Sequence, residues 1–168
     1  MTRFIAFFAI LAPLIGQQTG NLKVKANPSR AGIFLDGKYL GPAGNFSFAR
    51  TYTVAAGEHE IKLVEPRCQE VTRKVTITAG KTTTITEALP RLEIPKGPFG
   101  VLKTGQPSKY APVYVNRKYM GHADEFDFGA QGLLLPPGEY TVRIEPASGA
   151  PPIEKKVTIE AGKTTVVQ

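Results

Sequence analysis

Gly80-Lys81-Thr82 and Gly162-Lys163-Thr164, each inside the word Ala-Gly-Lys-Thr-Thr, carry the residue types that end a phosphate-binding loop. Such a loop also needs a glycine five residues earlier and a following helix whose backbone amides receive the phosphate. Val75 and Val157 stand at those glycine positions, inside strand-like stretches. A β-turn with a solvent-facing lysine accounts for the same residues, so no nucleotide or other cofactor is expected. Metal and nucleophile chemistry has little more to draw on. His59 falls on an inward-facing register and reads as an amphipathic ring capping a small core. His122 stands beside Asp124 and Glu125, where a weak surface metal could sit, but neighbouring carboxylates are common and no metal site is expected. Cys68 is the only cysteine, which excludes an internal disulfide and any multi-cysteine metal site. It reads as a structural thiol. No Ser-His-Asp or Cys-His arrangement supplies an activated nucleophile. Carboxylate pairs stay open, since any two can meet in space, but nothing favours one.

What remains is cationic and aromatic. Lys38-Tyr39 recurs as Lys118-Tyr119 with Arg117 added, and Phe34 recurs as Tyr114 on the face opposite the predicted core. Aromatic rings beside cations can stack on sugars or anchor a protein partner. The competing reading is that these rings pack against a neighbouring unit, and the two are compatible. With Lys103, Lys109 and Tyr110 from the least repeated stretch of the chain, these residues are the candidate partner contacts.

The elements that position them come in two similar sets. Lys74–Ile85, KVTITAGKTTTI, returns as Lys156–Val167, KVTIEAGKTTVV. Ile33–Gly41 returns as Val113–Gly121, Phe46–Phe48 as Phe126–Phe128, and Ala55–Leu63 as Pro136–Ile144. Agreement in order and spacing points to internal duplication. Within each set the apolar residues alternate: Ile33 with Leu35, Ile61 with Leu63, Val75 with Ile77, then Val113 with Val115, Val142 with Ile144, and Val157 with Ile159. A period of two gives an extended strand one core face and one wet face. Asp36-Gly37 suits a tight hairpin turn, whereas Asn116-Arg117 places an arginine where positive φ is costly, so a different or longer turn is expected there. The 17 glycines and 14 prolines fit many tight turns rather than long helices. Roughly six or seven short strands per unit then make a small antiparallel sandwich, since a single sheet would leave an apolar face in water. The first unit is expected over 20–89 and the second over 90–168. For the second, Leu92-Glu93-Ile94 is the preferred opening strand, which makes 97–109 a long loop; GVLKTGQP, from Gly100 to Pro107, is the alternative.

Met1 to Gly20 supplies Arg3 and then an apolar run, Phe4–Ile15, of the length of a signal peptide's central region and short for a membrane span. Residues 1–19 therefore read as a signal-peptide-like helix, a signal peptide or N-terminal apolar segment that meets the membrane during export, with periplasm or cell surface as the destination. No lipid-bearing cysteine follows it. The formal charge of +7, or +6 without Arg3, is dispersed. This allows weak attraction to anionic envelope polymers but supplies no concentrated patch for specific nucleic-acid binding.

An opening strand, a proline, IFLDGKYLG or VYVNRKYMG, then PPGEYTV and a closing KVTIEAGKTT together resemble PEGA domains, small β-sandwich modules of bacterial and archaeal envelope proteins that often occur in tandem. Pro136-Pro137-Gly138-Glu139-Tyr140 stands at the name-giving motif, as does Ala55-Ala56-Gly57-Glu58-His59 in the first unit. The Thr-Pro usual after the hairpin glycine is replaced by Pro42-Ala43 and His122-Ala123. The resemblance implies adhesion, assembly or display and carries no catalytic residue. The expected protein is thus an exported, non-enzymatic, all-β chain of two tandem PEGA-like sandwiches that binds an envelope or surface protein or glycan. The alternatives are a structural subunit of a filament, sheath or envelope assembly growing through sheet edges, and an enzyme with an unrecognised carboxylate or histidine site.

Overall fold

In a computed structural model, residues 18–46, 51–105, 109–146 and 148–168 are described. The alternating segments are strands, as the period of two requires. In the first unit these are β1 (Thr19–Asn27), β2 (Gly32–Leu35), β3 (Lys38–Pro42), β4 (Tyr52–Ala55), β5 (Gly57–Val64), β6 (Val71–Ile77) and β7 (Thr82–Ala88). The second unit has β8 (Gly100–Thr104), β9 (Pro112–Val115), β10 (Lys118–His122), β11 (Leu133–Leu135), β12 (Gly138–Ile144), β13 (Ile153–Ile159) and β14 (Thr164–Val167). Among the described residues the only helical turns are two short 3-10 segments, Ala43–Phe46 and Ala123–Glu125, and no helix is long and apolar enough to cross a membrane. The apolar N-terminal run lies outside the described residues, as do Ser47 and Phe48 of the repeated Phe-x-Phe word and 106–108.

Each unit is a sandwich-like pair of sheets with one topology. A four-stranded sheet runs β3-β2-β5-β6 in the first unit and β10-β9-β12-β13 in the second; a three-stranded sheet runs β4-β1-β7 and β11-β8-β14. The buried sets correspond position by position: Leu22 with Leu102, Ile33 with Val113, Leu35 with Val115, Ile61 with Val142, Leu63 with Ile144, and Ile77 with Ile159. Burying each of these side chains contributes about 1.5–3 kcal/mol against the chain's conformational entropy. Units of this size have small cores and gain stability from a neighbour. One core position departs from apolar: Thr104 takes the place of Val24, fully buried, and its Oγ1 donates to the Ala123 carbonyl at 2.7 Å.

Two expectations are corrected. The units are not wholly antiparallel, because β1 pairs with β7 and β8 with β14 in parallel. The last strand of each unit crosses from the large sheet to the small one and lies beside the first, running the same way. Leu92–Ile94 is not the opening strand of the second unit. Ile94 is 84% exposed, Arg91 makes a single bridge to Cys68, and the strand is β8, inside the stretch expected as a loop. Gly100 decides this placement. A Cβ there would sit 2.3 Å from the Glu160 carbonyl oxygen, just as one on Gly20 would sit 2.3 Å from that of Thr78. Both opening strands need a glycine where they pass the corner between the last two strands.

That corner is the repeated word. Gly80 and Gly162 adopt φ of 68° and 71°, left-handed values that glycine tolerates, in turns closed by Lys81 N–H to Thr78 O and Lys163 N–H to Glu160 O, both 3.1 Å. Beyond the corner, the Oγ1 of Thr83 donates to Thr76 O and that of Thr165 to Thr158 O. The threonines thus tie the two sheets together where the chain changes between them, and the lysines are exposed.

Candidate functional site

The hairpins β2–β3 and β9–β10 carry most of the candidate contacts. Asp36 and Gly37 have φ of 48° and 78°; Asn116 and Arg117 have 48° and 67°. The second turn is therefore the same tight turn as the first, with arginine held in the left-handed region, rather than a different or longer one. The reason is the cap. Asn116 Oδ1 accepts from the Thr141 amide at 2.9 Å, as Asp36 Oδ1 accepts from Glu60 at 2.9 Å, and this fixes both turns against the next strand. A bulky residue in this region costs about 1–2 kcal/mol. Arg117→Gly is accordingly expected to stabilise the protein by about 1 kcal/mol in equilibrium denaturation.

The two PEGA-like words fold alike despite different rings. His59 Nε2 lies 2.9 Å from Ala55 O, and Tyr140 OH donates to Pro136 O at 3.0 Å, each ring turning back onto the carbonyl four residues earlier. His59 Nδ1 also lies 2.6 Å from Asp36 Oδ2. Both of its partners are acceptors, so both ring nitrogens donate and the imidazolium is favoured. The Asp36 carboxylate holds His59 above its ordinary value of 6.5, and His59 with the Glu60 amide holds Asp36 below 3.8. A raised histidine contributes stability that is complete below 6.5 and is lost as pH rises through the folded value. His59→Tyr, which keeps the carbonyl bond seen at Tyr140, is expected to remove that share of the stability decline as pH rises above 6.5 in thermal unfolding. The residual decline belongs to His122.

The aromatic faces of the two hairpins meet. Phe34 and Tyr39 are cross-strand partners in one hairpin, and Tyr114 and Tyr119 hold the same places in the other. The Tyr119 ring stands edge-on to Phe34 at 5.4 Å and lies 5.4 Å from Tyr39, with the two hydroxyls 3.3 Å apart. Tyr119 is 4% exposed and rests on Gly32, where a Cβ would come within 2.6 Å of its ring. Burial raises the phenol pKa of Tyr39 and Tyr119 well above normal, and with Glu145 nearby pushes Tyr114 up to about 12. All three stay neutral.

Because equivalent residues meet, the contact has an approximate two-fold character, and two clefts flank it. In each, the hairpin of one unit reaches over the large sheet of the other. The larger, about 890 Å³, lies between Lys38 and Tyr39 of the first hairpin and Tyr114, Arg117, Arg143 and Glu154 of the second unit. The smaller, about 360 Å³, lies between Arg117 and Lys118 and the sheet bearing Phe34, Lys62 and Glu70. Phe34 pairs in register with Lys62, and Tyr114 with Arg143, so the two floors match. Lys62 is ion-paired with Glu70, and Arg143 with Glu145 at 2.9 Å and Glu154 at 3.5 Å.

The structure thus brings Lys38, Tyr39, Arg117, Lys118 and Tyr119 together and places the other three candidates apart from them. Lys103 Nζ donates to Phe128 O and Ala130 O, holding the loop after Phe126. Lys109 lies over the Tyr110 ring, which stands edge-on to His122. Both nitrogens of His122 face carboxylates, Asp124 at 2.5 Å and Glu125 at 2.8 Å. Burial pulls its pKa down, but Glu125 and Asp124 outweigh it and leave the ring above its ordinary value. The Cys68 thiol is buried, and burial with the Glu65 carboxylate pushes its pKa up, which suppresses reactivity. Gly32, Arg143, Glu145 and Glu154 were not among the candidates. Strand parity marks two of them: Arg143 and Glu145 alternate with buried Val142 and Ile144 and so must face outward.

The family model of the PEGA domain matches residues 19–93, the span of β1–β7 and the first residues of the linker, and the second unit repeats the sheet order of the first. No curated protein matches the chain significantly. Among solved structures, the Bacillus anthracis TIE protein shows a likeness at 13% identity over 90% of this chain, with a TM-score of 0.26. The chain spans 33% of that protein's length.

Proposed function

We propose that the chain is an exported, non-catalytic binding protein of the cell envelope or surface, built from two PEGA domains in tandem, whose partner occupies the larger cleft between them. The carrying observation is that this cleft exists only where the two hairpins dock, and that docking gathers five of the eight candidate contacts, of which Lys38, Tyr39 and Arg117 line this cleft and Lys118 and Tyr119 the smaller one. The PEGA match over 19–93 and the matching topology of the second unit support the tandem reading. The apolar run after Arg3 supports export.

A contact between equivalent patches closes on itself rather than propagating. This favours binding over filament growth through the hairpins, although sheet edges such as β6 and β13 remain open to strand addition. The test is recovery of the tagged protein from envelope fractions, with identification of its mature N-terminus and of what it retains. A partner retained by the native chain and lost from a variant in which the units are undocked but folded supports the proposal. Retention that ignores docking overturns it.

A further inference from the structure

The larger cleft has a direction. Thr141, Arg143 and Glu145 face the same side of β12, and four residues of strand span about 13 Å. The Asn116-Arg117 turn is bonded to Thr141 and therefore sits at one end. Tyr114, opposite Arg143, stands in the middle. Glu145 lies at the far end, and Glu154 sits on the neighbouring strand directly across from Arg143, level with Tyr114. Arg143 is already occupied by these two carboxylates, whereas Arg117 makes no ion pair or hydrogen bond among the described residues. The cleft is cationic at one end, aromatic in the middle, and from the middle to the other end offers donors and acceptors together.

Arg117 is also the residue that local conformation disfavours most. Its counterpart in the other hairpin is Gly37, which the turn accepts without strain. A strained side chain retained at a cleft wall, free of internal partners, points to something outside the chain that it holds. A guanidinium there suits a planar carboxylate, which it meets with two parallel hydrogen bonds. The half-buried ring of Tyr114 offers a flat face for stacking, and the paired Arg143, Glu145 and Glu154 suit neighbouring hydroxyls, which both donate and accept. A run of negative charges would meet Glu154 in the middle and Glu145 at the far end and be repelled, which disfavours an acidic peptide or a polyphosphate.

We propose that the cleft binds a short saccharide bearing one carboxylate, with the acid group on Arg117, a sugar ring against Tyr114, and neutral hydroxyls on the Arg143–Glu145–Glu154 network. This rests on the reading of the cleft as the partner site and names the class of ligand it takes.

The test is a titration of the full chain, followed by NMR, with three probes: aldotriouronic acid, which has one carboxylate on a neutral saccharide; xylotriose, its uncharged counterpart; and tetra-aspartate. The expected result is binding of aldotriouronic acid at least tenfold tighter than of xylotriose, and weaker binding of tetra-aspartate. Arg117→Gly should weaken the acid saccharide at least fivefold while leaving xylotriose unchanged, with thermal stability raised rather than lowered, so that misfolding cannot explain the loss. Tyr114→Leu should weaken both saccharides. Equal affinity for the two saccharides, an unaffected Arg117→Gly variant, tighter binding of tetra-aspartate, or no saccharide binding at all would each overturn the assignment. If saccharides fail while an envelope partner is still retained in a docking-dependent way, the ligand class is wrong and the binding module stands.

Discussion

In the Gly32→Ala variant the two units come apart while each stays folded. The added methyl would fall 2.6 to 2.8 Å from two ring carbons and the hydroxyl of Tyr119, and that ring has nowhere to retreat because Phe34, Tyr39 and Tyr114 surround it. Gly32 itself needs no special conformation, so β2 accepts alanine and keeps its pairing with β3 and β5. Overpacking a closed contact costs about 1–3 kcal/mol, and each aromatic pair lost forfeits about 0.5–1.5 kcal/mol more. These are of the order of what a small docked interface contributes, so expulsion of Tyr119 wins over local adjustment. The expected observations are loss of near-ultraviolet tyrosine dichroism, separation of denaturant unfolding into two transitions, and faster proteolysis in the exposed stretch 92–98. A single transition at the native midpoint with the tyrosine signal intact would show that the ring adjusts in place.

Glu65→Gln is expected to lower the stability of the first unit by about 2 kcal/mol. The carboxylate is 3% exposed at the end of β5. Its Oε1 accepts from Arg30 Nε at 2.9 Å and from Arg67 Nε and Nη2 at 3.1 and 2.9 Å, and its Oε2 accepts from the Arg67 amide at 2.8 Å. Both arginines are about half exposed and regain water when the charge is removed, which keeps the loss below that of a fully buried ion pair. Burial alone would raise the Glu65 pKa, but the Arg67 guanidinium and amide hold it below its ordinary value of 4.5. A lowered carboxylate contributes stability that is complete above 4.5 and disappears as pH falls through the folded value. The native unit should therefore lose stability on acidification below about pH 4.5 more steeply than the glutamine variant does. Parallel acid titrations of the two proteins would refute this. Consequences should reach the linker, since Arg67 O accepts from Leu92 and Gln69 N–H donates to Pro90 beside this carboxylate.

Much of the β architecture is legible in the alternation of Ile33 with Leu35, Ile61 with Leu63, and their counterparts, because burial on one face of a strand leaves a period of two. The parallel pairs are not legible: alternation says which side of a strand is buried and nothing about which strand lies beside it. The choice between the two candidate opening strands of the second unit is not legible for a related reason. Leu92 and Ile94 alternate as apolar residues better than Leu102 and the polar Thr104 do, and what separates the two stretches is the close passage of Gly100 past the Glu160 carbonyl, a tertiary constraint. The Lys-Tyr hairpins could be singled out because paired aromatics facing away from a core need company. Gly32 could not, since its meaning depends on a ring that arrives from another unit. Arg117 is ill suited to a tight turn, and the turn forms regardless because the Asn116 cap outweighs one strained residue.

The parallel pairing of first and last strands also fixes how each unit would respond to tension. A pull on the two ends draws β1 and β7 past one another along their length, as it does β8 and β14, so the hydrogen bonds of each ladder are loaded together instead of being peeled apart singly. Seven residue pairs join β1 to β7 and four join β14 to β8. Under shear the second unit is therefore the weaker link, and the first is the one that holds.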